Sequence, residues 1–589
     1  MTDIWRDKEN QMSKFGRDAV KGILHTQGTK IVNGENEEII LEGYGVGNWV
    51  NPEGFMIGVS SPPITADMDA KLGFDGKNGP RGLLQPDRFD RHRTVTAVVR
   101  DLCGEDYLKT FWPRWYANHL SEADIKAMAD LDLNSVRLVL NAATLLKEEP
   151  GIHFDEEGFK VLGQAIDWCE KYNIYAILDM HAAPGGQAGC NFDNGYDTMP
   201  RLFYDQESWD RGVALWEEIA KRFGDRWIVG GYDLLNEPLS LPIDRDQIPK
   251  LGEFYDACIA AIRKHDKQHM FFLEPAGFAR YNITFDHDYD PGYHNWCIHW
   301  HRYGFSPEIR EITPYLLKGL EYNVPVWIGE GGSSPEANAV FFNIVQEYGV
   351  GYCLWCWKTA LAERGPRNVG HKLPDDWNLI VDYCNGKSKP DYETAKRIFD
   401  EYLENMKLEN CVQDFSTINK SRRIAPFDLP AVGYDHSEKA GETFVGNWGL
   451  GNLLDYRLAD HTKLVWDTRY PEPLLWLDGM NERLDPVRGN RNPMERLLLE
   501  LQTGEFAVYT IRKAPEGTYL VIDAKSPEGA QVEVILNGRT LGVVDIQPSD
   551  KEITPCGTTV TIPACELGKI KLLVKKGTAQ LHKLHFVIA

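Results

Sequence analysis

The stretch VGGYDLLNEPLS, residues 229–240, decides how the chain is read. It opens as a buried strand of apolar residues and glycines, then runs into Asn236, Glu237 and Pro238. Proline has no amide hydrogen to give a ladder, so it closes the strand and leaves an amide and an acid at its carboxyl end. An isolated Asn-Glu-Pro would be no more than a capped strand end. What the neighbouring strands end on settles which reading holds.

Outward from this point, apolar β-rich runs alternate with amphipathic helical runs from about residue 38 to 408. The expected strands are IILEGYGV (39–46), SVRLVLN (135–141), YAILDMH (175–181), GGYDLLNE (230–237), MFFLEPA (270–276), WCIHWHRY (296–303), VPVWIGE (324–330) and GYCLWCW (351–357). Helical runs fall between them, at 122–132, 208–223, 252–265 and 336–348, and a closing helix is expected at 392–407. Eight strands alternating with helices predict an α/β fold, a parallel (β/α)8 TIM barrel, here over residues 1–410. The first connection departs from the pattern. From Asn48 to about Leu120 a Gly/Pro/Asp-rich loop containing SSPPITADMD and GKNGPRG is far longer than such loops need. An insertion after a strand lands on the carboxyl-terminal face, where barrel active sites lie, and is expected to wall the site.

From 411 to 589 the pattern changes to short alternating runs, among them EFAVYTIR, GTYLVIDAK, AQVEVILNG, GTTVTIPA and KIKLLVKKG, separated by turn residues. They predict an all-β jelly-roll or β-sandwich domain. A charged stretch containing WDTRYPEPLLW breaks the rhythm and reads as an insertion at about 461–500, facing the barrel.

A net charge of −23 argues against an electrostatic grip on nucleic acid or an anionic membrane surface. A neutral partner suits it better. No run of about 18 apolar residues predicts a membrane span. The start, MTDIWRDKENQMSKFGRD, lacks the apolar centre of an export signal, so a cytoplasmic protein is expected, or a secreted one if a leader has been trimmed. Eleven cysteines are scattered without a disulfide pattern. Cys353 and Cys356 have redox or metal-like spacing, but in a strand residues three apart face opposite ways, so both read as core.

In a parallel barrel the polar groups at strand ends converge on one pocket. Here they are Arg137 after the second strand, His181 after the third, Asn236 and Glu237 after the fourth, His301 and Tyr303 after the sixth, Glu330 after the seventh and Trp355 in the eighth. Two carboxylates across a barrel mouth, about 5–5.5 Å apart, can cleave a glycosidic bond with retention: one attacks the anomeric carbon while the other protonates the leaving oxygen. Arg137 and Tyr303 are placed to keep Glu330 charged. No metal-ligand spacing, serine-hydrolase elbow or phosphate loop competes for the pocket, so neither a metal nor another cofactor is expected.

The endings LLNEP and VWIGEGG, the arginine of SVRLVL, the histidine of DMHAAPGGQ and the HRY pair together resemble glycoside hydrolase family 5, over about residues 38–408. That resemblance implies retaining β-glycosidase chemistry with Glu237 as acid/base and Glu330 as nucleophile. It also implies Asn236 on the sugar 2-hydroxyl, Arg137, His181, His301 and Tyr303 around them, and Trp355 as a floor beneath the sugar. Within the family, DMHAAPGGQ and GVGNWVNPEGF look most like the exo-β-1,3-glucanase branch, in which an acid after the first strand meets the terminal sugar; Glu53 falls on that position. This sequence departs there from the branch pattern at Asn48, Gly54 and Phe55, which leaves the sugar open. Glu274, in FFLEPAGF, is expected either to contact a sugar hydroxyl or to serve structure. The segments IAPFDLPAVGYDH and TGEFAVYTIRKAPEGTYLVIDA are similar to carbohydrate-binding modules of the family 6 type, which implies either a glycan-binding module or a brace for the barrel.

The leading expectation is a retaining exo-β-glycosidase of β-glucosidase or exo-glucanase type, whose partner is a β-linked oligosaccharide or glycoside. The alternatives are an endo-β-glucanase or mannanase with an open cleft, and a glycan-binding protein without activity. Oligomeric state is not legible in the sequence.

Overall fold

The computed structural model describes residues 14–59, 89–147, 150–197, 199–304, 307–361, 368–436, 441–446, 456–457, 460–467, 493–556 and 558–589. Eight strands form the first domain: β1 (Glu42–Gly45), β2 (Ser135–Asn141), β3 (Tyr175–Ala182), β4 (Val229–Asp233), β5 (Phe271–Leu273), β6 (Trp296–Tyr303), β7 (Val326–Gly332) and β8 (Tyr352–Leu354). They pair in chain order and β8 pairs with β1, so the sheet closes as a barrel of parallel strands. Every residue of β2 and β3 is buried, as expected where helices cover one face and the barrel interior fills the other.

The surrounding helices follow from local chemistry. In α3 (Glu156–Tyr172), which follows α1 (His92–His119) and α2 (Glu122–Asp130), the Asp155 carboxylate accepts the amides of Glu157 and Gly158, and Phe159, Leu162, Ala165, Ile166 and Cys169 form the buried stripe. The helix ends where Asn173 adopts φ 57°. In α4 (Gln206–Phe223) Asp205 plays the same capping part, and Leu215, Trp216, Ile219 and Phe223 face the sheet. Further helices are α5 (Ile248–Ile262), α6 (Thr313–Tyr322), α7 (Pro335–Glu347) and α8 (Tyr392–Asn405). Between β5 and β6 there are only two short turns of helix, Ala276–Ala279 and Asn282–Thr284.

Three expectations need correction. The fourth strand ends at Asp233, not at Glu237. Beyond it the Leu234 amide still donates to Phe272 O at 3.2 Å and the Asn236 amide to Met180 O at 3.0 Å, until the chain turns at Glu237, φ 43°. Strands one, five and eight are likewise shorter than their apolar runs, so Trp355 lies one residue past β8 rather than within it. The long first connection is not all loop. SSPPITADMD and GKNGPRG lie outside the described residues, but His92–His119 form α1, a 28-residue helix kinked at Gly104, followed by α2 (Glu122–Asp130). From α1, Trp115 Nε1–H donates to Asn48 O at 2.9 Å, and Trp49 Nε1–H donates to Tyr116 O at 3.2 Å, so the helix holds the segment leading to Glu53.

The second domain is a sandwich of a seven-stranded and a five-stranded antiparallel sheet around one core. The proposed insertion at 461–500 is narrower than expected: Lys463–Trp466 and Leu497–Gln502 are paired strands of the seven-stranded sheet. Most of WDTRYPEPLLW lies outside the described residues. The final strand, Thr578–Ile588, is central to that sheet, pairing on both sides.

The sandwich is packed firmly on the barrel. Ala339, Val340 and Ile344 of α7 enter the sandwich core. Glu42, at the amino end of β1 and fully buried, accepts a hydrogen bond from Arg512 of the sandwich and another from Gln346 at 2.7 Å, with Arg422 at 3.4 Å. Bracing the barrel is therefore one thing this domain does. All eleven cysteines, Cys353 and Cys356 included, are free thiols. Among the described residues no helix is long and apolar enough to cross a membrane.

Candidate active site

Strand ends β2 to β8 bring the expected groups together around one guanidinium. Arg137, from β2, is fully buried. Its Nε–H donates to Asp233 at 2.7 Å, Nη1–H to Glu330 at 3.0 Å, and Nη2–H to Asn236 at 2.8 Å and Glu274 at 3.0 Å, while Asp179 lies 3.0 Å away. A buried cation among four carboxylates is held charged: burial opposes it, but Asp179, Asp233, Glu274 and Glu330 raise its pKa.

Glu237 and Glu330 face one another above this base. A carboxylate oxygen of each, with a ring nitrogen of His301, lies within 4.8 Å of the others. Glu330 accepts from Tyr303 Oη–H at 2.5 Å as well as from Arg137, so both its oxygens are fixed. Glu237 contacts His301 Nδ1 at 2.8 Å. Burial raises the Glu237 pKa, but the hydrogen bond and charge of His301 outweigh it and lower it, so the two groups share a proton weighted toward the ring. The positive φ of Glu237 is rare for a residue with a side chain, and its amide is held by Glu274 Oε2 at 2.6 Å.

His181 Nδ1 shares a hydrogen bond with Asp179 at 2.8 Å, and its Nε2 lies 3.9 Å from Glu53. Burial, then Arg137, lowers the His181 pKa to about 3, so its ring is neutral. Glu53 moves the other way: burial and the charges of Glu330, Glu237 and Asp90 raise its pKa well above the ordinary carboxyl range. Trp355 stacks on His181, ring centroids 5.0 Å apart and planes 6° from parallel. A Cβ on Gly45 or Gly47 would come within 2.5 or 2.7 Å of the indole, which explains the glycines of GYGVG. Asn48 next to them adopts φ 66°, a left-handed position that glycine or asparagine tolerates.

The loops after β1, β2 and β3 are stitched into one rim. Asn51 Nδ2–H donates to Phe192 O at 2.5 Å and Asn141 Nδ2–H to Asn51 at 3.2 Å. Phe192 and Phe278, from the loops after β3 and β5, meet edge to face at 6.2 Å, and Phe192 also lies against His181.

Three of the residues expected to line the pocket lie beneath it. Arg137, Glu274 and His301 have no exposed surface. The carboxylate of Glu274 is consumed by Arg137, His301 at 3.2 Å and the Glu237 amide, which favours the structural side of its two expected roles. These residues support the carboxylates from below. Glu53, His181, Asn236, Glu237, Tyr303, Glu330 and Trp355 form the layer above. Sequence reasoning missed Asp179, Asp233 and His299, which complete the lower layer. The signal was present: Asp179 and His299 stand two residues before His181 and His301, on the same face of their strands.

Two trios, Glu274–His299–His301 and Glu237–His301–Glu330, have the spacing to grip a metal ion. Their ligand atoms are already paired by hydrogen bonds, and the Arg137 cation lies 3.0 Å from both Glu274 and Glu330. That donor set suits a shared proton better than a second cation.

Residues 97–361 match the family model Cellulase (glycosyl hydrolase family 5). Among curated proteins the chain is 32% identical to a β-xylosidase of Phanerodontia chrysosporium over 44% of this chain and 47% of that protein. It is 33% identical to a glucan 1,3-β-glucosidase of Candida oleophila over 31% of this chain and 39% of that one. The aligned parts thus span about half or less of these relatives. Among solved structures, an endogalactoceramidase aligns over 96% of this chain and all of its own, with 14% identity and a TM-score of 0.42. The barrel of this chain carries a glycosyl hydrolase family 5 domain.

Proposed function

We propose that the protein is a retaining β-glycosidase that acts from the end of β-linked oligosaccharides or on simple β-glycosides, in the manner of a β-glucosidase or exo-β-glucanase. The observation that carries this reading is the approach of Glu237 and Glu330 to within 4.8 Å, oxygen to oxygen. Retention calls for about 5–5.5 Å between the carboxyls, whereas inversion needs about 6.5–9.5 Å to admit a water. Glu330, held by two donors, attacks the anomeric carbon. Glu237 passes a proton to the departing oxygen, and the sugar is left as an ester on Glu330. Glu237 then takes a proton from water, which attacks the same carbon and frees the sugar with its original configuration. Arg137 fixes Asn236 Oδ1 as an acceptor, which turns the amide nitrogen into a donor for the 2-hydroxyl. Trp355 offers an aromatic face to the ring.

The exo reading draws support from the rim stitched between the loops after β1 and β3, from Glu53 beside His181, and from the names of the two relatives. Free thiols throughout the chain suit a reducing compartment, and we place the protein in the cytoplasm on that basis. Proton NMR of the first sugar released from a β-glycoside tests the reading: β-anomer is expected, and α-anomer would overturn it. A rapid fall in the viscosity of a soluble β-glucan would favour an endo-acting enzyme. The absence of turnover on every β-glycoside would favour a glycan-binding protein.

A further inference from the structure

Beneath the pocket, Glu237, His301, His299 and Asp233 form a chain of hydrogen bonds. His301 Nδ1 meets Glu237 at 2.8 Å, its Nε2 meets His299 Nε2 at 3.1 Å, and His299 Nδ1 meets Asp233 at 3.1 Å. We propose that His299 is a positioning residue for the general acid: its Nε2 lone pair holds a proton on Nε2 of His301, so that one movable proton is shared between His301 Nδ1 and Glu237. The proposal deepens the glycosidase reading and rests on it.

The direction of each bond is fixed from the bottom of the chain. Asp233 is bound to Arg137 at 2.7 Å, and although burial raises its pKa, His299 and Arg137 outweigh that and bring it to about 2. An ionised carboxylate only accepts, so Nδ1 of His299 carries the hydrogen. Burial lowers the His299 pKa despite Asp233 and Glu274, so no second proton resides on Nε2. That bare nitrogen faces His301 Nε2. Two bare nitrogens 3.1 Å apart would repel in a site without solvent, so His301 donates. Glu274 lies 3.2 Å from the same nitrogen. The groups facing His299 are Asp233 from β4, Glu274 after β5, Arg137 from β2, His301 on its own strand, and the uncharged Trp327 ring of β7 at 4.9 Å.

Space for this ring has been made by the strand that carries the second carboxylate. A Cβ on Gly329 would lie 1.7 Å from His299 Nε2, so glycine next to Glu330 is a condition of the chain. In the first step the shared proton leaves the pair through Glu237 Oε1 to the glycosidic oxygen, which departs with its bonding electrons. His301 keeps its Nε2 proton. Its bare Nδ1 now stands against the Glu237 carboxylate, a repulsion that favours taking a proton back from water in the second step.

His299→Phe keeps a ring in the site but removes the acceptor. Loss of a hydrogen bond to a charged donor should move the alkaline limb of kcat/KM down by about one to two pH units, with KM little changed. His299→Gln, whose amide oxygen can accept from His301, should restore most of that shift. A limb that stays in place in His299→Phe, or a glutamine variant no better than phenylalanine, overturns the proposal. Neutron diffraction from the unaltered protein provides a second test that needs no variant. Deuterium on Nδ1 of His299 and Nε2 of His301 is expected; deuterium on Nε2 of His299, or a metal ion between the rings, refutes it. Retention of configuration with an unmoved limb sinks this proposal alone, whereas α-anomer as first product sinks the parent reading.

Discussion

Replacing Arg137 with methionine fills a similar volume and removes the one charge that Asp179, Asp233, Glu274 and Glu330 share. Breaking a buried ion pair costs about 3–5 kcal/mol, because the remaining charge is left without a partner or hydration. At about 2 °C per kcal/mol, the small end of the usual scale and suited to a long chain, melting falls by about 6–10 °C. The effect depends on pH, and its sign follows from linkage. In the wild type Asp233 titrates at about 2, below its unfolded value, so its stabilising contribution is present above about pH 4 and lost as pH falls toward 2. Without Arg137 the balance at these carboxyls shifts toward burial and their folded-state values rise, so the variant loses stability as pH climbs above the unfolded value of about 4. The gap between the two proteins therefore widens from acid to neutral pH. Thermal unfolding followed by circular dichroism at pH 4.5 and 7.5 measures it. A gap below about 1 kcal/mol, or one equal at both pH values, would refute a network organised by this guanidinium.

Glu237→Ala should slow turnover by about 10²–10⁴-fold on glycosides with poor leaving groups and far less on activated aryl glycosides, with azide restoring rate and giving a β-glycosyl azide. Glu53→Gln should cut kcat/KM less than Glu53→Ala does, because burial and the neighbouring acids favour the uncharged carboxyl that an amide mimics. A carboxyl raised in the fold supplies stability that is complete below its unfolded value of about 4.3 and is lost as pH rises through the folded value, so Glu53→Gln should also flatten the fall in melting temperature toward alkaline pH. Arg512→Met strips Glu42 of its closest cation and should cost about 3–5 kcal/mol, seen as a lower melting temperature, even though the site is untouched.

The barrel was legible because burial on both faces of a parallel sheet writes continuous apolar runs, and Glu237 and Glu330 stood out as the acids that close two of them. What lay one layer deeper was hidden by the same rule. Asp179, Asp233 and His299 sit inside runs that read as core, and these polar groups are tolerated there because Arg137 bonds Asp233, His181 meets Asp179 and His299 meets Asp233. Helix α1 was read as loop because Gly104 and Pro113 interrupt its pattern, whereas its stability comes from an aromatic cluster with Trp377, Phe399 and Tyr402 across the chain. The fourth strand was read too long because Pro238 looked like the terminator, while the turn is made at Glu237 and held by the distant Glu274. Strand Thr578–Ile588 escaped notice because its polar positions, such as His582 and His585, mask a face that alternates into the sandwich core.

The most direct test of the account is to catch the sugar on the protein. A 2-deoxy-2-fluoro analogue of whichever activated glycoside the protein turns over fastest should form an ester that hydrolyses slowly. Intact-protein mass spectrometry should then show one sugar per chain, and peptide mapping should place it on Glu330. A label on any other residue, or full turnover by Glu330→Gln, would contradict the proposed chemistry.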